Sequence, residues 1–248
     1  MIISKRNKDK KQYKKEVIMD TNNTTKQIPH TEIVFILDKS GSMHGKESDI
    51  IGGFNKTIEE QKANTNECYV STILFNHKSI VLHNRIPLEN IKPITGNEYS
   101  VGGSTAYFDA LGNAIAYHER IQKEDPTKLP PKMLFIIMTD GYENASIEYN
   151  SKKLKGLIKE KQEKCYWEFV FMGAGIDAIS AANDIGIDSS YAINITMEDK
   201  EGIEASYRSM SKCINLKRKA MVRNMCCCKT AWEEDIVNDM KSRNSRKI

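Results

Sequence analysis

The sequence from residue 33 to residue 42 is Ile33-Val34-Phe35-Ile36-Leu37-Asp38-Lys39-Ser40-Gly41-Ser42. Its first five residues are all apolar, which predicts a strand buried on both faces, as in a parallel sheet covered by helices. Directly after this strand, Asp38, Ser40 and Ser42 place one carboxylate and two hydroxyls at alternate positions. Hard cations such as Mg²⁺ prefer oxygen ligands and keep several waters, so these side chains are candidate metal ligands.

Short apolar runs and longer amphipathic segments alternate after this strand, which is typical of βαβ units. We predict a doubly wound α/β sheet of six strands, mostly parallel, with helices on both faces. The loop Asn76-His77-Lys78 is too short for a crossover connection, so the strands that flank it form an antiparallel edge. The predicted strands are 32–38, 67–75, 79–87, 133–138, 166–172 and 190–196. The predicted helices are 47–63, 106–122, 151–162 and 176–184, followed by a helical segment within 198–240.

The formal charge of +4 is unevenly distributed along the chain. Residues 1–18 hold seven Lys and Arg against two acidic residues, so the remainder has a formal charge of −1 and gives little support for nucleic-acid binding. We predict a disordered basic arm over 1–30, one α/β domain over 31–197 and a helical extension with a basic tail over 198–248. Because Lys15-Glu16-Val17-Ile18-Met19 can be encoded by a tract resembling a ribosome-binding site, we expect translation to begin at Met19.

The apolar runs and the cysteines indicate the compartment. No apolar run approaches the roughly 20 residues of a membrane-spanning helix, and no apolar segment follows the charged N-terminus. We therefore expect a cytoplasmic protein without membrane contact. The six cysteines, three of them consecutive at 226–228, lack the spacing of metal ligands. Reduced thiols are the simplest interpretation of such cysteines in that compartment.

Two later motifs are predicted to reach the same edge of the sheet as the first. Thr105 ends the segment Gly102-Gly103-Ser104-Thr105, and Asp140 lies in Thr139-Asp140-Gly141 at the end of a predicted strand. Loops converge outside the carboxyl ends of parallel strands, and ligands of open sheets bind there. The ordered set resembles the metal-ion-dependent adhesion site of the von Willebrand factor A-type (VWA) domain, an Asp-x-Ser-x-Ser motif with a distant Thr and a distant Asp.

This resemblance implies a fold, a metal and a kind of partner. It covers roughly residues 31 to 196 and is closest to the intracellular bacterial or phage type of VWA protein. It implies a non-enzymatic module in which bound Mg²⁺ or Mn²⁺ accepts a last oxygen ligand from an acidic residue of a protein partner. Ser104 is an alternative to its neighbour Thr105. The implied metal site consists of Asp38, Ser40, Ser42, Thr105 and Asp140, in which the three hydroxyls bind the ion and the two carboxylates balance its charge directly or through bound water.

Several of these motifs also have an ordinary structural interpretation. Asp38, Ser40 and Ser42 can cap a turn or the following helix, and Thr139-Asp140-Gly141 can be a simple turn. His44, next to the first motif, is either a contact for a partner or an exposed loop residue. The segment from Gly173 to Ala178 fits a permissive dinucleotide-binding pattern, although close packing of a strand on a helix explains it as well.

Two rival functions belong to other classes. A Mg²⁺-dependent phosphohydrolase would use Asp38 as nucleophile or to hold a catalytic water. Phosphotransferases of the Asp-x-Asp type need a proton donor two residues later, which is here the hydroxyl of Ser40. Nucleic-acid binding would use Lys217-Arg218-Lys219 and the basic C-terminal tail. Residues 212–248 hold ten Lys and Arg against four acidic residues, but a solvated helix face explains them equally and nucleic acid is not favoured.

Overall fold

The computed structural model describes residues 31–64, 67–128, 130, 132–223, 234, 236–238, 240–242 and 245. Within them six strands form one sheet. Numbered along the chain, they lie in the order third, second, first, fourth, fifth and sixth, and all are parallel except the third, which runs antiparallel to the second. This confirms the predicted fold class. The predicted arm 1–30 lies outside the described residues. The strands are β1 (Thr31–Asp38), β2 (Cys68–Phe75), β3 (Ser79–Pro87), β4 (Lys132–Thr139), β5 (Glu168–Ala174) and β6 (Ala192–Ile195).

Helices cover both faces of the sheet, which explains the unbroken apolar sequence of β1. Ile33, Phe35 and Leu37 point to one face and pack in the core beneath the first and last helices. Val34 and Ile36 point to the other face and pack beneath the three middle helices. The helices are α1 (Glu47–Lys62), α2 (Tyr107–Glu124), α3 (Ser151–Cys165), α4 (Ala178–Asp184) and α5 (Lys200–Arg223).

Helix α5 belongs to the predicted C-terminal extension, and it packs along α1. Its buried side chains Ile203, Tyr207, Met210 and Ile214 lie in the same apolar core as Phe54 of α1. The beginning of the extension is therefore part of the packed body. The boundary that we placed at residue 197 stays a prediction.

A buried ionic cluster lies near the start of β1, at the opposite end of this strand from the candidate site. Glu32 is fully buried, and its carboxylate accepts hydrogen bonds from Ser71 Oγ at 2.8 Å, Arg85 Nε at 3.1 Å and His118 Nε2 at 2.9 Å. The other ring nitrogen of His118 lies 2.8 Å from the carbonyl oxygen of Ala114. We call Glu32 and its three side-chain partners the Glu32 cluster. Because every oxygen of this carboxylate is paired, the cluster is an internal support of the fold.

Candidate metal centre

Asp38 is the most enclosed of the predicted ligands. Asp38 is the last residue of β1 and is 1% exposed. Oδ1 accepts a hydrogen bond from the Ser40 amide at 2.7 Å, and Oδ2 accepts one from Thr139 Oγ1 at 2.6 Å. Tyr99 Oη donates to the Asp38 carbonyl oxygen at 2.5 Å. These contacts hold both the carboxylate and the backbone where the strand ends.

Burial raises the pKa of Asp38 above its ordinary value, and the negative charge of Asp140 raises it further. The hydrogen bonds from Thr139 and Ser40 lower it, but they do not cancel the effect of burial. Within the part of the chain that the structure describes, the recorded donors to the Asp38 carboxylate are neutral groups. No described cation is bonded to this carboxylate, and a divalent ion nearby would balance its negative charge.

Ser40, Ser42 and Asp140 meet at the same edge of the sheet. Ser40 Oγ lies 3.1 Å from Ser42 Oγ, and Ser42 Oγ donates a hydrogen bond to Asp140 Oδ1 across 98 residues of sequence. Asp140 Oδ2 accepts a hydrogen bond from Lys46 Nζ at 2.8 Å. The three predicted ligands thus form a continuous chain of oxygen atoms, and sequence reasoning missed the ammonium group beside it.

Thr105 lies against the loop that carries Asp140. A Cβ atom built on Gly141 would be 3.3 Å from Thr105 Oγ1, and Thr105 itself is 4% exposed. Its amide donates to Asn144 Oδ1 at 2.9 Å, and the Asn144 amide donates back to the Thr105 carbonyl at 3.0 Å. The alternative residue Ser104 is exposed. Of the two, Thr105 is the one bound to the Asp140 loop.

A glycine pair brings the Thr105 loop onto the turn that follows β1. The Gly102 amide donates to the Lys39 carbonyl at 2.9 Å, and the Gly41 amide donates to the Gly103 carbonyl at 2.9 Å. Gly103 has φ of +79°, and a Cβ atom there would lie 2.9 Å from Cε1 of the His77 ring. Only glycine fits this backbone without strain, so the loop requires it.

Two acidic side chains that sequence reasoning did not assign to the site hold the loop after β4. Glu143 Oε2 accepts hydrogen bonds from the Phe108 amide and from Ser146 Oγ, both at 2.9 Å. Asp109, in the first turn of α2, accepts from three consecutive amides of residues 147–149. An acidic residue near a predicted helix start is the signal that could have found Asp109, because helix N-termini favour negative charge; Glu143 is not near such a start in the sequence.

The described residues contain no group of three or more His, Cys, Asp and Glu side chains that could hold a metal. A metal at the candidate centre would therefore depend on the three hydroxyls as well as the two carboxylates. This set contains oxygen atoms alone, as Mg²⁺ and Mn²⁺ prefer, and no sulfur or imidazole that would favour zinc. The residues present fit a hard divalent cation.

The basic stretch considered for nucleic-acid binding is largely buried. Arg218 is 1% exposed, and its guanidinium donates to the carbonyl and side-chain oxygens of Gln61 at 3.0 and 3.1 Å. Lys217 is 3% exposed and pairs with Glu168. Only Lys219 of the three is exposed. This observation disfavours the triplet as a phosphate-binding surface, while most of the basic tail beyond it lies outside the described residues.

The remaining alternatives concern single loops. A Cβ atom on Gly173 would lie 2.8 Å from Cβ of Ala178, so close packing of β5 on α4 accounts for glycine in the dinucleotide-like segment. His44 is 85% exposed and lies 3.3 Å from Glu47, as expected of a loop residue. Among the helices that the structure describes, none is both long and apolar enough to cross a membrane.

No protein-family model and no curated protein matches the chain. Solved structures do match it. The PilB minor pilin from Streptococcus sanguinis has a TM-score of 0.52 at 12% identity, over 77% of this chain and 63% of PilB. Proximal thread matrix protein 1 (PTMP1) from the mussel byssus has a TM-score of 0.51 at 15% identity, over 75% of this chain and 46% of PTMP1.

The fold is VWA-like. The mixed sheet with one antiparallel edge is the architecture that the sequence pattern predicted, and these solved structures match the fold at low sequence identity. The chain spans about half the length of PTMP1 and about two thirds of the length of PilB. At such identities the likeness shows the fold, and the function rests on the chain's own residues.

Proposed function

We propose that this VWA-like chain is a divalent-cation-dependent protein-binding module. Mg²⁺ or Mn²⁺ would be held by the five side chains of the candidate centre, which we call the oxygen site, with the two carboxylates acting directly or through bound water. The last oxygen ligand would come from an acidic residue of a protein partner. The metal supplies the positive charge that attracts this carboxylate. The oxygen site consists of Asp38, Ser40, Ser42, Thr105 and Asp140.

The observation that carries the proposal is the hydrogen-bonded chain from Ser40 Oγ through Ser42 Oγ to Asp140 Oδ1. A helix cap or a turn would use these hydroxyls on neighbouring backbone amides. Neither serine hydroxyl has such a bond among the described contacts, and Ser40, which precedes the 3₁₀ turn Gly41–Met43, makes no side-chain cap. The side chains face one another, which favours a shared ligand over local capping.

The residues of the chain have separate roles in this proposal. Two carboxylates offset the charge of a divalent ion, and three neutral hydroxyls add oxygen ligands without adding charge. A further carboxylate therefore still gains from direct coordination, and affinity for the partner depends on the metal. Ser42 is exposed while Asp38 is buried, so the partner would approach from the serine side.

A binding role also suits the chemistry better than phosphoryl transfer. Both carboxylate oxygens of Asp38 accept internal hydrogen bonds, and the side chain is almost fully enclosed, so it is poorly placed to attack a substrate. Ser40 provides no acid two residues later. We propose a non-enzymatic module that acts in the cytoplasm. Release of phosphate from phosphomonoesters in Mg²⁺, abolished by Asp38→Ala, would contradict this view.

The metal site is tested with two neighbouring residues. Binding of Mn²⁺ is followed by loss of the free-ion signal in electron paramagnetic resonance. Thr105→Ala should weaken binding at least tenfold, because it removes one proposed ligand, whereas Ser104→Ala should leave the affinity unchanged. Equal affinities for the two variants would exclude Thr105 as a ligand.

The partner is tested by affinity purification from native cells, in Mg²⁺ and in chelator. The expected result is a protein recovered in Mg²⁺, lost in chelator and lost with Ser40→Ala/Ser42→Ala. A candidate recovered in this way is then titrated as a pure protein, and substitution of its surface acids one at a time should abolish binding at one position. Binding that is unchanged in chelator would contradict the proposal.

A further inference from the structure

Lys46 places a positive charge inside the oxygen site. Its ammonium donates to Asp140 Oδ2 at 2.8 Å, and the two side chains are 23% and 5% exposed. The second oxygen of Asp140 accepts from Ser42 Oγ. Both oxygens of this proposed ligand are thus engaged within the chain, and one of them is engaged by a cation.

The backbone of Lys46 is fixed, but its side chain has one ionic contact. Its amide donates to the Met43 carbonyl at 3.2 Å, and its carbonyl accepts from the amides of Asp49 and Ile50 at the start of α1. In the part of the chain that the structure describes, Asp140 is its one recorded ion-pair partner. The ammonium can therefore leave Asp140 by rotation of its flexible four-carbon stem, without movement of the turn or the helix.

A lysine and a divalent ion cannot both make full use of the same carboxylate. Among the described residues, Asp140 is paired with a cationic side chain, whereas Asp38 accepts its hydrogen bonds from neutral groups. The other lysine near this edge, Lys39, is 6% exposed and donates to the Ser100 carbonyl at 3.3 Å, so it does not occupy either carboxylate. Among the described residues, Lys46 is the lysine that would compete with a metal ion for Asp140.

We propose that Lys46 is a built-in counter-cation of the oxygen site. It neutralises Asp140 while the metal is absent, and it must leave this carboxylate when a divalent ion binds, so it lowers the metal affinity. The inference rests on the proposed function. With the metal bound, the two carboxylates offset its charge, and the displaced ammonium adds one positive charge at the rim. A single carboxylate of the partner then restores neutrality.

The test is Lys46→Met, which removes the charge and keeps much of the stem. We expect the dissociation constant for Mn²⁺, measured by electron paramagnetic resonance, to fall about tenfold, the order expected when a half-buried competing charge is removed. Lys56→Met is the matched control, because Lys56 is exposed on α1 and the substitution changes the net charge equally. Its dissociation constant should stay within about twofold of wild type.

The outcomes separate the two proposals. If the wild-type protein binds Mn²⁺ and Lys46→Met binds it equally or more weakly, the proposed role of Lys46 is wrong and the proposed metal site is unaffected. No binding by either protein would overturn the metal site and this inference with it. Thermal unfolding gives a second measurement, since a folded Lys46→Met variant should gain more in Tm from a fixed Mn²⁺ concentration than wild type. An equal gain would also contradict the inference.

Discussion

Two adjacent glycines of α1 allow a sharp test of how α5 is seated. Gly52 is exposed, and a Cβ atom built there meets nothing within 4 Å. At Gly53, a Cβ atom would lie 2.6 Å from Cγ and 2.8 Å from Cε2 of the Tyr207 ring on α5. Tyr207 is 3% exposed, so its ring has little room to move away. The same substitution at neighbouring positions should therefore have opposite effects.

The magnitudes follow from these surroundings. Alanine within a helix is more favourable than glycine by about 1 kcal/mol, so Gly52→Ala should raise the free energy of unfolding by about that amount. Gly53→Ala gains the same propensity, but a contact this short requires a shift of about 1 Å in a close-packed region. Such overpacking costs about 1–3 kcal/mol, and this site belongs at the upper end of that range. The net effect of Gly53→Ala should be a loss of about 1–2 kcal/mol.

Urea unfolding followed by circular dichroism measures both variants. The two free energies of unfolding should differ by about 2–3 kcal/mol, which corresponds to roughly 5–10 °C in Tm for a chain of this length. A cycle with Tyr207→Ala isolates the contact, because Gly53→Ala should cost nothing once the ring is absent. If the two alanine variants have equal stability in the wild-type background, α5 does not pack on Gly53 and our description of this interface is wrong.

Three further predictions concern a buried hydroxyl, the loss of stability at acid pH and a loop glycine. Tyr207→Phe should leave the free energy of unfolding unchanged or raise it by up to about 1 kcal/mol, since the buried hydroxyl has no hydrogen-bond partner among the described residues; a loss above 1 kcal/mol would reveal a missed partner. Burial would raise the pKa of Glu32, but the other members of the Glu32 cluster outweigh it and hold this pKa below 4.5. Its contribution to stability is therefore present above pH 4.5 and lost as the pH falls through the lower folded-state value, so Glu32→Gln should flatten the decline of the urea midpoint below pH 4.5. An unchanged slope would refute this. Gly103→Ala should weaken Mn²⁺ binding at least fivefold by moving the Thr105 loop, whereas Gly96→Ala, where a Cβ atom has open space, should not; equal affinities would count against the loop's role.

The fold could be predicted because its strands and helices carry strong patterns. The continuous apolar run of β1 reflects a strand with helices on both faces, and the short connection from β2 to β3 allowed only an antiparallel pair. The end of α3 was harder. We predicted it at residue 162, but the helix continues to Cys165 and ends at Tyr166, which adopts a left-handed φ of 56°. Glycine is the usual signal for such a cap, so nothing in the sequence marked this end.

The candidate site was only partly accessible to sequence reasoning. Its five proposed ligands could be predicted from the order of three motifs along the chain, because strand ends and loops converge at the carboxyl ends of parallel strands. The contacts that position them depend on loop paths. Asn144 meets Thr105 across 39 residues, and Lys46 meets Asp140 across 94 residues, and neither spacing corresponds to a repeating local geometry. The roles of Asn144 and Lys46 follow only from the three-dimensional structure, in which β1 and β4 are neighbouring strands.

The negative charges of Asp38 and Asp140 are balanced unequally within the described residues, and this difference favours the proposed binding role over a purely structural one. A carboxylate kept only for the fold would be expected to resemble Glu32, whose partners include two basic side chains and whose pKa is lowered. Asp38 is also deeply buried, but its hydrogen-bond donors among the described residues are neutral, and burial raises its pKa. The charged form of Asp38 therefore costs stability in the chain alone. Residues that cost stability in this way cluster at functional sites, where a ligand supplies the missing charge. At Asp140 the ammonium group of Lys46 supplies a positive charge. A divalent ion would therefore replace Lys46 at Asp140, and at Asp38 it would be the first cation among the described groups to balance the carboxylate.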